Sequence, residues 1–322
     1  MYKLDLLDRK ILYELEIDAR QPLTLLAKKL RHNRNVIEFR IKRMQERRII
    51  KNFVTLLDAG KLGLMIWNVY LEFQDLTSEK EKEVIDYLQK NKKVWWTAKT
   101  TGKWNLIYSI GVKDVKGFYN TVTEFNSKFG KYILNQSLAA HVEVEIFSRG
   151  YFLNKPSTGV TWSKEVIPSN LDETDKNVLR ELSTNARISS VELARKLKLS
   201  QRIVSYRIKD LIKKQVITKF RPHLDVSKMG YSFYKVILYV KEMNKDKDAR
   251  LKEYCRQLGN VFHYERKIGP WMLELEMDVE SYEKINQLLK KMKEDMSEII
   301  RSYEILMIYE EPKGELDLTQ LL

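Results

Sequence analysis

A single cysteine, Cys255, is the whole thiol complement of this sequence. It excludes an internal disulfide and any cysteine-based zinc site, fits a reducing compartment, and reads as a small apolar helix residue. Histidine is scarce too: His32, His141, His223 and His263 are the full set. Glycine and proline are few, so no long stretch reads as disordered. No apolar run approaches the ~20 residues of a membrane span, and the opening MYKLDLLDRK alternates charge with leucine where a signal segment would be apolar. The expectation is a cytoplasmic protein with no membrane contact. No Gly-rich phosphate loop, metal cluster or nucleophile–base pair is present, so neither a cofactor nor a metal is expected.

What the chain does have is a copy of itself. Sliding it by 167 residues lays Leu4–Phe73 on Leu171–Val240 without a gap, matching Asp5/Asp172, Asp8/Asp175, Ala19/Ala186, Arg20/Arg187, Ala27/Ala194, Arg40/Arg207, Phe53/Phe220 and Gly63/Gly230. The same offset carries Gly102, Trp104 and Leu106 onto Gly269, Trp271 and Leu273. So long a period excludes short solenoid repeats and marks a duplicated two-part module. The expected division is 1–60, 61–150, a linker at 151–170, then 171–230 and 231–322.

Charge follows the duplication. Of the net +14, residues 1–60 hold 14 basic and 8 acidic side chains and residues 171–230 hold 14 and 7, whereas 231–322 hold 15 and 18. Clustered Lys and Arg suit nucleic acid or an anionic membrane surface equally. The fold decides between them.

In the second copy, Val178, Leu179 and Leu182 recur at helical spacing after a capping Asp172. Ser189 to Glu192 has the form of a capping box before Leu193, Ala194 and Leu197, and Ser200 caps a third helix with the inner stripe Val204, Ile208 and Leu211. The first copy runs in parallel through Ile11, Leu12 and Leu15, then Leu26, Ala27 and Leu30, then Asn33 with Ile37, Ile41 and Met44; Pro22 and Leu25 weaken its second cap. A few residues between the second and third helices make a helix-turn-helix. Ala27 and Ala194 supply the small side chain where those helices approach.

The outer face of each third helix carries Asn35, Glu38, Phe39 and Lys42 in one copy and Arg202, Ser205, Tyr206 and Lys209 in the other. Arg34 and Gln201 lie in the first turns, and Arg40 and Arg207 on the flanks. Such residues suit base edges and phosphates of double-stranded DNA. The basic Arg47-Arg48 and Lys213-Lys214 then lead into short extended segments, the winged variant, as candidates for backbone contact.

The remainder of each copy reads βαββαβ. In the first copy this is Met65–Phe73, Ser78–Gln89, Val94–Thr101, Asn105–Val112, Val115–Phe129 and Tyr132–Ile146; in the second, Phe233–Val240, Lys247–Leu258, Val261–Lys267, Met272–Met277, Tyr282–Met296 and Ile299–Ile308. Such a sheet has one bare face. Tethering makes the other copy its most accessible partner.

The string Leu171-Asp172, Asp175, Leu179, Leu182, Ala186-Arg187, Ser189, Glu192-Leu193-Ala194, Leu197, Ser200, Val204, Arg207-Ile208, Leu211, Val216-Ile217 resembles the signature of the Lrp/AsnC (feast/famine) transcription regulators, and the βαββαβ unit resembles their ligand-sensing RAM domain. The resemblance implies an α+β chain with two copies of a winged helix-turn-helix followed by a ferredoxin-like domain, a fused dimer that binds double-stranded DNA. It also implies self-association of such pseudo-dimers and a small effector such as an amino acid, near the hairpins Gly102, Trp104 and Asn105, and Gly269 and Trp271. Two departures stand out: the family's hairpin Asp is replaced by Asn105 and Met272, and the glycine usual before the wing by Arg48 and Gln215. The leading expectation is a sequence-specific, non-enzymatic regulator. The alternatives are an architectural DNA-binding protein of low specificity and a sirohaem-decarboxylase-like enzyme on the same fold; for the latter, His141 and His263 sit at non-equivalent positions and read as structural histidines.

Overall fold

The computed structural model describes residues 3–162, 165–314 and 317–322. The first copy runs α1 Leu6–Ile17, α2 Leu23–Leu30, α3 Arg34–Glu46, β1 Ile50–Leu57, β2 Met65–Phe73, α4 Ser78–Lys90, β3 Val94–Thr101, β4 Leu106–Val112, α5 Val115–Phe129 and β5 Ile133–Phe147. A short strand β6, Gly159–Trp162, precedes the second copy: α6 Glu173–Thr184, α7 Ser190–Leu197, α8 Gln201–Lys213, β7 Ile217–Leu224, β8 Ser232–Val240, α9 Lys245–Leu258, β9 Val261–Ile268, β10 Leu273–Val279, α10 Tyr282–Asp295 and β11 Ile300–Lys313.

The helical heads form where their caps say they should. Asn33, Ser189 and Ser200 each accept a backbone N–H in the first turn, at 2.8, 3.1 and 3.2 Å, and Asp172 and Asp175 close a capping box. Each such cap stabilises a helix by about 1 kcal/mol. Pro22 makes no side-chain cap, so α2 lacks that contribution. The turn into each third helix passes through a left-handed residue, Arg31 at φ 56° and Lys198 at φ 55°. The inner stripes bury fully: Ile37, Ile41 and Met44 pack with Ile11, Leu12 and Leu15, and Val204, Ile208 and Leu211 with Val178, Leu179 and Leu182.

The two heads meet about a pseudo-two-fold axis, visible in contacts that repeat at the sequence offset. The Asp58 amide donates to Val216 O and the Asp225 amide to Ile49 O, both at 2.9 Å. Ala19 donates to Phe220 O and Ala186 to Phe53 O, both at 3.0 Å. Arg20 reaches the carbonyl of Ala186 while Arg187 reaches that of Ala19, each over the other copy's phenylalanine. The strand after each third helix therefore finds its partner in the other copy, as the antiparallel ribbon β1–β7.

The two βαββαβ units join by their edges. β3 pairs with β11 and β5 with β9, and β2 pairs with both β4 and β5, so the strands close into an antiparallel ring, β2-β4-β3-β11-β8-β10-β9-β5, with β6 added outside β5. The expected bare faces become the lining of this barrel. Outside, α4 and α5 cover one half through Val84, Leu88, Phe118 and Phe125, and α9 and α10 the other through Leu251, Ile285 and Leu289. Two sequence expectations shift here. β11 runs on to Lys313 instead of ending at Ile308, because its far half pairs with β3 of the other copy. The segment read as a linker contains β6, fixed on β5 from Val144↔Trp162 to Phe147↔Gly159.

The barrel lining is not symmetric. The second copy points Lys235, His263, Glu265, Lys267, Glu274 and Glu276 inward, and the equivalent residues of the first are Asn68, Trp96, Ala98, Thr100, Ile107 and Ser109. Lys235 Nζ lies 3.0 Å from Glu274 and 2.8 Å from Glu276, and Lys267 Nζ lies 2.7 Å from Glu265. A buried charge is tolerated only when paired, and these are.

Candidate nucleic-acid interface and the cavity beneath it

Each third helix turns one face inward and leaves the other in solvent. Arg34, Asn35, Glu38, Phe39 and Lys42 are exposed on α3, as are Gln201, Arg202, Tyr206 and Lys209 on α8, with Ser205 half-buried. The rings of Phe39 and Tyr206 are 62% and 66% exposed, a cost to solubility that nothing in the head's own packing requires. The two faces differ in charge. On α3, Glu38 lies 3.6 Å from Arg34 and Glu46 lies 4.0 Å from Lys42. On α8, Arg202 and Lys209 hold no ion pair among the described residues.

The flank arginines are placed differently from the expectation that they contact phosphates. Arg40 binds Asp5 and Asp8, and Arg207 binds Asp172 at 2.7 Å and Asp175 at 3.1 Å. Each ties its third helix to the capped first turn of the head's first helix, and its charge is neutralised there. The physical reason is local: Asp8 and Asp175 are 1% and 2% exposed and need a cation.

The hairpin residues also have inward roles. Trp104 and Trp271 are buried in the barrel 6.3 Å apart, both edge-on to Tyr70, and Trp271 donates to Glu274 at 2.6 Å. Gly102 (φ 108°) faces Ile305 and Leu306 of β11, and Gly269 faces Leu138 and Ala139 of β5, so a side chain at either would collide with the opposite copy. Asn105 accepts the Phe73 amide at 2.7 Å. The two glycines and the two tryptophans thus lie at the junction between the copies, and Asn105 holds its own hairpin to β2.

Between ribbon and barrel lie two cavities related by the pseudo-two-fold. One, about 440 Å³, is lined by Arg149, Arg221, His223, Phe262, His263 and Asp278 among others. The other, about 70 Å³, carries Leu56, Trp95, Trp96, Ser109, Val144 and Trp162. By the sequence offset Arg221, His223, Asp278 and Glu311 of the larger cavity match Val54, Leu56, Gly111 and Val144, of which Leu56 and Val144 line the smaller one, while His263 and Glu276 border both. Trp162, donating to Leu57 O at 2.5 Å, fills the smaller one.

The larger cavity borders a buried ion network that reaches a head. Glu16 of α1 accepts from Arg149 at 2.8 Å and lies 3.2 Å from Arg221, and Arg149 donates to Asp278 at 2.6 Å. Burial raises the Asp278 carboxyl despite Arg149, and it lowers Lys219 to about 8 despite Glu16. His263 lies 2.7 Å from Glu276; burial opposes its charge, but Glu276 and Glu265 outweigh it and its pKa is raised. His141 goes the other way, lowered well below its ordinary value by burial and by Lys267, whose Nζ is 2.6 Å away. Both histidines are hydrogen-bonded inside the barrel, as structural histidines are. Neither this network nor the barrel charges were readable as a site from single strands.

Residues 4–45 match the AsnC-type helix-turn-helix domain and residues 171–218 a winged helix-turn-helix DNA-binding domain. An uncharacterised HTH-type transcriptional regulator of Pyrococcus furiosus is 28% identical over 147 residues, which are 45% of this chain and 94% of that protein. The HTH-type transcriptional regulator LrpC of Bacillus subtilis is 31% identical over 122 residues, 38% of this chain and 83% of that protein. This chain belongs to the AsnC/Lrp-type regulator family. Each of these relatives corresponds to one module of it, so this AsnC/Lrp-type chain carries the family's unit twice. The fold of the pair has its own precedent: the siroheme decarboxylase NirDL superposes with a TM-score of 0.64 over 95% of this chain and 92% of that one, at 15% identity. At that identity the likeness is one of fold. Among the described residues of this AsnC/Lrp-type protein, no helix is long and apolar enough to cross a membrane.

Proposed function

We propose that the chain is a non-enzymatic transcriptional regulator that grips double-stranded DNA with α3 and α8 at once, as a covalent and asymmetric dimer acting at the nucleoid. The observation that carries this reading is the pair of solvent-facing third helices, each with an exposed aromatic ring, set on the two windows that hold nearly all the net positive charge. Bases are read by Asn35, Glu38 and Phe39 on one side and Arg202, Ser205 and Tyr206 on the other; Arg34, Lys42, Gln201 and Lys209 meet the backbone. Because the two faces differ, the preferred target has unlike half-sites one helical turn or a multiple apart. In vitro selection of bound DNA tests this, and a perfectly palindromic optimum overturns it. If each head neutralises ~4 phosphates, the slope of log K against log salt is about −7. A small ratio of specific to non-specific affinity would instead identify a low-specificity architectural protein.

One observation favours a second reading as an enzyme like NirDL: the larger cavity gathers His223, His263, Arg149 and Arg221 beside the barrel. Against it, the same walls carry Asp225, Glu276, Asp278, Glu310 and Glu311, which repel a tetrapyrrole rimmed with carboxylates. Incubation with sirohaem and mass detection of decarboxylated product separates the two.

A further inference from the structure

The duplicated fold supplies two cavities of unequal size, and the larger is lined by Arg221, His223, Asp278 and Glu311, whose offset-matched residues in the first copy are Val54, Leu56, Gly111 and Val144. Charged groups at those four positions are therefore not demanded by the architecture. Polar atoms buried without need cost stability, which points to a ligand that uses them.

The buried atom of this lining that lacks a hydrogen-bond partner among the described residues is an acceptor. Asp278 is 1% exposed; its Oδ2 takes Arg149 and Tyr151, while its Oδ1 has no partner among the described residues. Glu311 accepts Trp96 through Oε1 alone. His223 engages Asn52 through Nδ1, at 3.1 Å, and burial lowers its pKa to about 4, so its Nε2 is an acceptor. The buried cations are already paired: Arg149 with Glu16 and Asp278, Arg221 with Glu16, and His263 with Glu276. Lys51 is exposed. Flat apolar surface comes from Phe233, Tyr231 and Tyr309.

We propose that this cavity is a binding site, one per chain, for a small organic cation: a protonated amine on a flat apolar body, its ammonium donating to Asp278 and Glu311. Tyrosine-derived probes separate the chemistries, since tyramine, L-tyrosine and 4-hydroxyphenylacetate share one ring and differ in charge. The site does not depend on what the heads bind, so its failure and that of the DNA-binding reading are distinguishable.

Isothermal titration of the full chain with tyramine is expected to give one site. Its affinity should fall at least ~10-fold in Asp278→Asn and in Glu311→Gln, each of which removes a charge-assisted acceptor. Should Asp278→Asn fail to fold, Glu311→Gln alone carries the test, since its amide oxygen still accepts from Trp96. Trp162→Ala, which opens the smaller cavity, should leave tyramine at one site. Equal or tighter binding of L-tyrosine or 4-hydroxyphenylacetate, two tyramine sites, no tyramine binding at millimolar concentration, or Glu311→Gln with unchanged affinity would each overturn the proposal.

Discussion

At the scale of single residues, the same residue type does different work a helical turn apart. Arg40 and Arg207 look like DNA contacts in a linear reading, yet each is consumed by two aspartates of its own head. Arg40→Gln should therefore lower urea stability by about 1.5–3 kcal/mol, the scale of a hydrogen bond to a charged group, and leave the salt slope of DNA binding unchanged. Lys209→Gln should do the opposite, reducing that slope by about one and leaving stability alone. Arg48 and Gln215 are a second instance. They hold φ 56° and 59°, in the left-handed region where the related family places glycine. A side chain there costs ~1–2 kcal/mol, partly offset by the greater unfolded-state freedom of glycine. Arg48→Gly and Gln215→Gly should each raise the unfolding free energy by up to about 1 kcal/mol, read as a higher urea midpoint.

At the scale of elements, capping and periodicity were readable, and burial often was not. Ser189, Ser200, Asn33 and Asp172 announced their helices because a cap is a local interaction. Strand β10 shows the limit. Its Leu-Glu-Leu-Glu-Met-Asp alternation describes a half-solvated strand, but Glu274, Glu276 and Asp278 are all buried, because the other copy covers that face. The readable clue lay in the duplication, since the matching positions are Ile107, Ser109 and Gly111. The buried histidines predict a pH profile. Above 6.5, His263, whose folded pKa is raised, loses its proton as pH climbs through that value, and its contribution to stability is lost. Below 6.5, His141 and His223 stay neutral when folded and protonate when unfolded, so stability falls as pH drops. For His223, held near 4, the loss approaches ~3 kcal/mol by pH 4. Urea midpoints across pH should peak near 6.5 for these three groups. His263→Gln should flatten the alkaline side only.

For the whole molecule, the duplication has become a division of labour. Head one is held to the second copy's barrel strands through Glu16, Arg149 and Asp278, where head two has Ser183 and Gly111 at the matching places. Glu16→Ala strands Arg221 in a buried site and leaves Arg149 with Asp278 alone, and a loss of about 3–5 kcal/mol is expected in thermal or urea unfolding. The modules are not interchangeable either: Ala98→Glu, which copies Glu265 into the first half, adds a buried carboxylate without a lysine of its own. It should destabilise the chain by several kcal/mol, far more than Ala98→Ser.

The tryptophans carry one last consequence. All six, Trp67, Trp95, Trp96, Trp104, Trp162 and Trp271, lie on barrel strands, on the hairpins between them or on β6, and neither head has any. The molecule is thus labelled in one half by its own chromophores, and its indole emission is blind to the surface that meets DNA. Any spectral shift on adding DNA would be a signal transmitted across the ribbon, read without attaching a dye.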